Sequence, residues 1–331
     1  MKTLRKVLLI LLAAAAVLAG LGFTAALVAI FLGDPEFSPL PRMSPEETAA
    51  FAARFEQPYA AEKRRFKMRD GTVLASQYFP AKSRTTIVLV HGVLSSSFLM
   101  NRSAGLLRQA AAAEVVAIDL RGHGASGGAP GDVAYIGQYE DDLADVIAKI
   151  RATNPAGRVI LAGHSMGGGI VLRYAMNPGM RPVDGYLLFA PHLGLKSPTT
   201  PTESTKTGAA FVQVHLPRIL GLTLLNTAGI TGFNGLKTLF FNLPKEMPLR
   251  CYSYRAMVGM SPADYAPALR AIHKPLLVVV GSRDEAFRAD RYEAAIRPYS
   301  QGEVVIVEGA SHDGVLNDPR ALAAVGRWAG R

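Results

Sequence analysis

The sequence predicts an α/β protein: a mostly parallel central β-sheet with helices on both faces, preceded by one apolar helix. Three observations predict it. Short apolar runs rich in Val, Ile and Leu recur from about residue 87, each closed by Gly, Asp or His. Helical patterns separate several of these runs, and a long uncharged apolar stretch opens the chain. Runs that are apolar at every position, rather than at alternate ones, are what a sheet buried on both faces requires.

The opening stretch comes first. Lys2, Arg5 and Lys6 precede an uncharged run from Val7 to Leu32. As a helix it would span about 39 Å at ~1.5 Å per residue, enough to cross a hydrocarbon core of about 30 Å with some tilt. Beyond it Asp34, Glu36, Glu46 and Glu47 are opposed only by Arg42. The basic flank belongs on the cytoplasmic side, so the body of the protein is expected outside. The rival is a cleaved signal peptide ending near Val17-Leu18-Ala19, which would leave the protein secreted. Continuation of the apolar run well past that point favours a retained anchor.

The expected organisation is an anchor over residues 1–33, a spacer with a short helix over 34–61, and the folded body over 62–331. Ser44-Pro45-Glu46-Glu47 marks the helix start: a capping hydroxyl, Pro at the first helical position, then acids at the positive end of the dipole. That helix is expected to reach about Phe55.

Composition narrows the function. The net charge is +10, yet the Lys and Arg residues are scattered, with no basic stripe interleaved with aromatics, so nucleic acid is not the expected partner. The charge suits a soluble surface or attraction to an anionic membrane. Cys251 is the only cysteine, which excludes an intramolecular disulfide and a thiolate metal cluster.

In the body, Phe66–Arg69 and Val73–Phe79 flank Asp70-Gly71, a hairpin signal. Strand-like runs follow at Ile87–Val90, Val115–Ile118, Val159–Ala162, Tyr186–Phe189, Leu276–Val280 and Val304–Val307, with helical patterns at Tyr139–Ile150 and Met166–Met176. Function in such sheets gathers at the carboxyl ends of the strands. Over eighty residues separate Phe189 from Leu276, far more than an ordinary connection needs. The middle of that interval is apolar, and it is expected to form a cap, about 193–265, over a greasy pocket. Leu220, Leu224, Phe233, Phe240 and Phe241 are candidates to line it.

Gly163-His164-Ser165-Met166-Gly167 lies between a strand-like run and a helical pattern, the context that the Gly-x-Ser-x-Gly turn requires. The turn is sharp, so the residues two away from the serine must lack bulk, a need that Gly163 and Gly167 meet, and Ser165 is the candidate nucleophile. A serine needs a base, and the base needs a partner that fixes its tautomer. Of seven histidines, His312 follows the last strand-like run in a flexible loop and is the best base. His91 and His123 sit in turns that suit structural hydrogen bonding. His164 is expected to point away, and His192, His215 and His273 to be incidental. Asp284, three residues past Gly281, is the candidate acid, with Glu285 and Asp290 as alternatives. The backbone N–H groups of Val93 and Met166 are the candidate oxyanion donors.

Val90-His91-Gly92, the stretch Asp119-Leu120-Arg121-Gly122-His123-Gly124-Ala125-Ser126, and Gly163-His164-Ser165-Met166-Gly167-Gly168 together resemble the monoacylglycerol lipase and lysophospholipase (serine aminopeptidase-like) branch of the α/β-hydrolases. The resemblance covers roughly residues 65–331 and is weak across Leu193–Met260. It implies a cofactor-free, metal-free serine esterase with a helical cap inserted after the sixth strand.

The expected activity is hydrolysis of an acyl-lipid ester, monoacylglycerol or lysophospholipid-like, through an acyl-enzyme. An amino- or imino-peptidase is the alternative on the same fold. It would need carboxylates for a substrate ammonium, and Leu193–Leu249 holds only Glu203 and Glu246 against Lys196, Lys206, Arg218, Lys237 and Lys245. A catalytically silent anchored binding protein is the other alternative, and the complete set of Ser, Asp and His positions speaks against it.

Overall fold

Eleven strands can be followed through the computed structural model, which describes residues 2–40, 42–201 and 211–330. They are β1 (Glu62–Lys67), β2 (Val73–Phe79), β3 (Thr85–Val90), β4 (Glu114–Ile118), β5 (Arg158–His164), β6 (Gly185–Phe189), β7 (Val212–Val214), β8 (Lys237–Phe241), β9 (Cys251–Ser253), β10 (Leu276–Gly281) and β11 (Glu303–Val307). Eight of them make the central sheet, in the order β1-β2-β4-β3-β5-β6-β10-β11. The β1–β2 hairpin and the β2–β4 pair are antiparallel, and every later pairing is parallel.

The helices are α1 (Lys2–Ile30), α2 (Pro45–Ala53), α3 (Asn101–Ala111), α4 (Gln138–Thr153), α5 (Met166–Met176), α6 (Leu216–Thr227), α7 (Tyr254–Val258), α8 (Tyr265–Arg270), α9 (Tyr292–Ile296) and α10 (Pro319–Ala329). Alternation within each apolar strand divides the core in two. Ile87, Leu89, Ile160, Ala162, Leu277 and Val279 pack with Leu107 of α3 and Val325 of α10. Val88, Val90, Leu161, Val278 and Val280 pack on the other face with Val146 of α4 and Ile170 of α5. Both faces are dry, which is why these strands read as unbroken apolar runs.

Ser44 caps α2 as expected, with a reciprocal capping box to Glu47, although the helix ends at Ala53 rather than near Phe55. The interval after β6 differs more. It is not purely helical: besides α6, α7 and α8 it carries a three-stranded antiparallel sheet, β7-β8-β9. Thr238, Leu239, Phe240 and Phe241 are β-branched or bulky, and so short an apolar run cannot be assigned to helix or strand by periodicity. Glu203 and Lys206 lie outside the described residues.

The N-terminal helix is not a free-standing rod. Residues Thr3–Ile30 of α1 are long and apolar enough to cross a membrane. Its last turns pack on the cap, where Ala26 and Ile30 bury with Leu222 and Leu225 of α6 and with Tyr254. Gly221 allows the approach, since a Cβ there would stand 2.7 Å from the Ala26 carbonyl oxygen and 2.8 Å from Ile30 Cγ2.

Candidate active site

Ser165 sits between β5 and α5 with φ 53° and ψ −118°, in the positive-φ region that L-residues avoid. Three backbone hydrogen bonds hold this conformation: Ser165 N donates to Phe189 O at 3.0 Å, and its carbonyl accepts from Gly169 N at 3.1 Å and His192 N at 3.0 Å. The flanking glycines are required by contact. A Cβ at Gly163 would stand 2.5 Å from the Gly167 carbonyl carbon, and one at Gly167 would stand 2.3 Å from Val90 O. The serine is 8% exposed at the carboxyl ends of the central strands. Met166 opens α5, where the first N–H groups lack an intrahelical acceptor.

His312 and Asp284 come together from the loops after β11 and β10. His312 Nδ1 lies 2.9 Å from Asp284 Oδ2, and the Asp284 side chain is fully buried. The carboxylate is locked, because Oδ1 accepts from Ala286 N and Phe287 N, both at 2.8 Å. A carboxylate acceptor places the proton on Nδ1 and leaves Nε2 free to take one. Glu285 holds the same loop differently, accepting from His312 N at 3.0 Å. Asp290 lies apart from His312 and pairs with Arg291 at 3.0 Å.

The expectation that His164 points away is corrected. The loop after β11 crosses the end of β5, so His164 Nε2 donates to the His312 carbonyl at 3.1 Å and the two rings lie 4.7 Å apart. His164, His312 and Asp313 bring potential metal-ligating atoms within 4.8 Å of one another. His164 Nε2 carries a proton to meet a carbonyl and His312 Nδ1 is engaged by Asp284, so only the second nitrogen of each ring keeps a lone pair.

The electrostatics separate the histidines. Burial lowers His91 to about 4 and His123 to about 3. Burial, and then the charge of His312, lowers His164 and His192 to about 4. His312 moves the other way. Burial opposes its charged form, but the hydrogen bond and charge of Asp284, with Asp313 and Glu285, outweigh burial and hold it above the usual histidine value.

Gly92 brings the end of β3 against the serine, since a Cβ there would lie 3.2 Å from Ser165 Cβ. Val93 follows, and then Leu94, a non-glycine residue at φ 54°. Leu94 N donates to the Tyr252 hydroxyl at 2.8 Å. That hydroxyl meets His123 Nε2 at 2.9 Å, while His123 Nδ1 meets the Arg121 carbonyl at 2.9 Å. The carbonyl requires a proton on Nδ1, so Tyr252 donates to Nε2. Asp119 fastens the far side of the loop by accepting from Ser97 N and Ala125 N. His91 is structural as well: Nε2 accepts from Leu120 N at 3.1 Å, and Nδ1 then donates to its neighbour's carbonyl, Gly92 O, at 2.8 Å.

Two residues at the site escaped the sequence reading. His192, regarded as incidental, stacks on Phe287 at 5.3 Å beside His312; its position just past the end of β6 was the available signal. Tyr252 carries no local signal, because its place depends on the cap folding back over the β3 loop. The proposed pocket residues divide. Leu220 and Leu224 face outward, 60% and 48% exposed. Phe233 packs edge-on against Phe31 at 5.8 Å. Phe240 and Phe241 are buried, and Phe241 meets Tyr252 at 5.9 Å.

A parallel sheet with a serine on a strained strand-to-helix turn, and a histidine–aspartate pair on the loops after its last two strands, defines the α/β-hydrolase class of site. The model of the alpha/beta hydrolase family matches residues 87–325, and the chain belongs to that family. It is 35% identical over 103 residues to a monoacylglycerol lipase from Mycolicibacterium smegmatis, covering 29% of this chain and 34% of that protein. It is 34% identical over 113 residues to the uncharacterized hydrolase YugF of Bacillus subtilis, covering 34% of this chain and 39% of that protein. The matched stretches thus span well under half the length of both relatives. In fold, it is similar to a crystal structure of the Paleococcus ferrophilus monoacylglycerol lipase, with a TM-score of 0.55, 24% identity, and coverage of 77% of this chain and 98% of that one.

Proposed function

We propose that the protein is a membrane-anchored serine hydrolase that cleaves carboxylic esters of acyl lipids through an acyl-enzyme. The observation that carries this reading is the 2.9 Å contact of His312 Nδ1 with a fully buried Asp284, on a loop whose His312 carbonyl is bonded to His164, the residue before the strained Ser165. Ser165 attacks the ester carbonyl while His312 Nε2 takes its proton. Asp284 keeps the Nδ1–H tautomer and stabilises the imidazolium as it forms. The N–H groups of Val93 and Met166 receive the developing oxyanion. His312 then protonates the departing alcohol, and water, activated by the same nitrogen, releases the acid.

The lipid part of the reading rests on the match to a monoacylglycerol lipase and on α1, whose apolar length suits a bilayer. Its basic N-terminal flank supports an orientation with the catalytic body on the non-cytoplasmic side. The test is a series of chromogenic esters of graded acyl length beside an aminoacyl amide, run on the full chain and on Ser165→Ala. Ester turnover that Ser165→Ala abolishes is expected, with the amide inert. Faster amide than ester turnover would replace the reading with a peptidase.

A further inference from the structure

The outward face of α6 is unusual for a helix in water. Leu216, Leu220 and Leu224, one turn apart on a single ridge, are 59%, 60% and 48% exposed. A water-facing helix carries charge on that side. The only charged side chain of α6 is Arg218, and it is turned inward, 6% exposed.

Arg218 explains where the ridge must lie. Its Nε donates to Ile30 O at 2.9 Å and its Nη2 to Leu32 O at 2.6 Å, while Nη1 reaches Asp34 Oδ1 at 2.7 Å and Lys237 O at 2.6 Å. His215 Nε2 adds a contact to Gly33 O at 3.0 Å. The last carbonyls of a helix have no intrahelical donor, and here α6 supplies donors at the end of α1. With Gly221 against Ala26, the clamp fixes α6 at the level where α1 leaves its apolar stretch. Phe31 and Leu32, 64% and 44% exposed, sit at the same level.

We propose that α6 is an interfacial membrane element, with the ridge Leu216, Leu220 and Leu224 immersed in the surface layer of the bilayer that α1 spans. This rests on the reading of α1 as a membrane anchor. The occupant is the bilayer because the ridge continues the exposed apolar surface of α1 and is fastened to it. The cap is therefore held on the membrane and is not carried above it on a flexible spacer.

The experiment uses the full chain with Cys251→Ser, which removes the only cysteine. Single probe sites are then introduced as Val17→Cys on α1, Leu220→Cys on the ridge and Gln301→Cys on the exposed body. Each is labelled with an environment-sensitive fluorophore and reconstituted into phosphatidylcholine–phosphatidylglycerol vesicles. Quenching by lipids carrying a nitroxide near the headgroup, deep-chain nitroxide lipids and aqueous iodide is compared. The expected result is deep-lipid quenching at 17, shallow-lipid quenching with at least fivefold protection from iodide at 220, and iodide quenching alone at 301. If 17 is in lipid and 220 is as open to iodide as 301, the inference falls and the anchor stands. Protection from iodide at 220 without lipid quenching would mean a protein partner covers the ridge, which also overturns it. If 17 itself is not in lipid, the anchor reading and the inference fall together.

Discussion

Replacing Tyr252 with Phe deletes one oxygen from the cap and should be felt at the chemistry. The hydroxyl accepts from Leu94 N at 2.8 Å and donates to His123 Nε2 at 2.9 Å. Burial raises the Tyr252 phenol well beyond the usual range, so it stays protonated and keeps donating. Without it, a buried N–H and a buried ring nitrogen lose their partners, at about 1–3 kcal/mol for each group left unsatisfied. The Leu94 backbone, at φ 54°, also loses what holds its strained conformation. At about 1.4 kcal/mol per factor of ten, one such loss expressed as movement of the loop slows turnover roughly 5- to 150-fold. Most of that range lies below the roughly 10²–10³ attributed to complete removal of an oxyanion donor, and its upper end just reaches it. The assay is kcat and KM on a short chromogenic ester, beside a melting scan and the control Tyr254→Phe, whose hydroxyl meets Thr223 Oγ1 at 3.0 Å within the cap. A fall in kcat with KM nearly unchanged is expected for Tyr252→Phe alone. Turnover within twofold of the parent in a normally folded Tyr252→Phe would refute the claim that this hydroxyl holds the loop.

Three further outcomes follow from the same geometry. Asp284→Asn should reduce turnover by orders of magnitude, because an amide can favour the wrong imidazole tautomer, whereas Glu285→Gln, which still accepts from His312 N, should remain within about tenfold; the reverse ranking would move the acid to Glu285. The base works when neutral and His312 is held above 6.5, so kcat/KM should rise with pH through a midpoint above 6.5. Glu285→Gln removes one of the charges that raise it and should shift that midpoint to lower pH; a parent midpoint below 6 would contradict the assignment. Deleting residues 1–32 should leave short-ester activity but uncover Leu222 and Leu225, now 0% and 1% exposed, each worth up to about 3 kcal/mol when buried. A melting point lower by roughly 5–10 °C is expected, and an unchanged one would show that α1 does not brace the cap.

The sheet and the elbow were legible because their signals are local. Val159–Ala162, Ser165 with its two glycines, and the helix from Met166 declare themselves within a few residues, and His312 and Asp284 are found by reading the ends of successive apolar runs. The rest depends on distant partners. Nothing near Tyr252 announces that it will meet Leu94, and nothing near Arg218 announces that its acceptors are Ile30 and Leu32. An apolar residue in the cap, such as Leu220, reads the same whether it faces a pocket or the outside. His164 was misjudged for a similar reason: its surroundings are set by the loop that follows β11, far along the chain.

The most direct test of the central claim is covalent capture of the nucleophile. The full chain in detergent is treated with a fluorophosphonate, its intact mass is measured, and the modified peptide is sequenced. The account predicts one phosphonyl group per chain, located on Ser165. It also predicts labelling at least a hundredfold slower in His312→Ala, because the serine then has no base. An unlabelled folded protein, or an adduct on any residue other than Ser165, would contradict it.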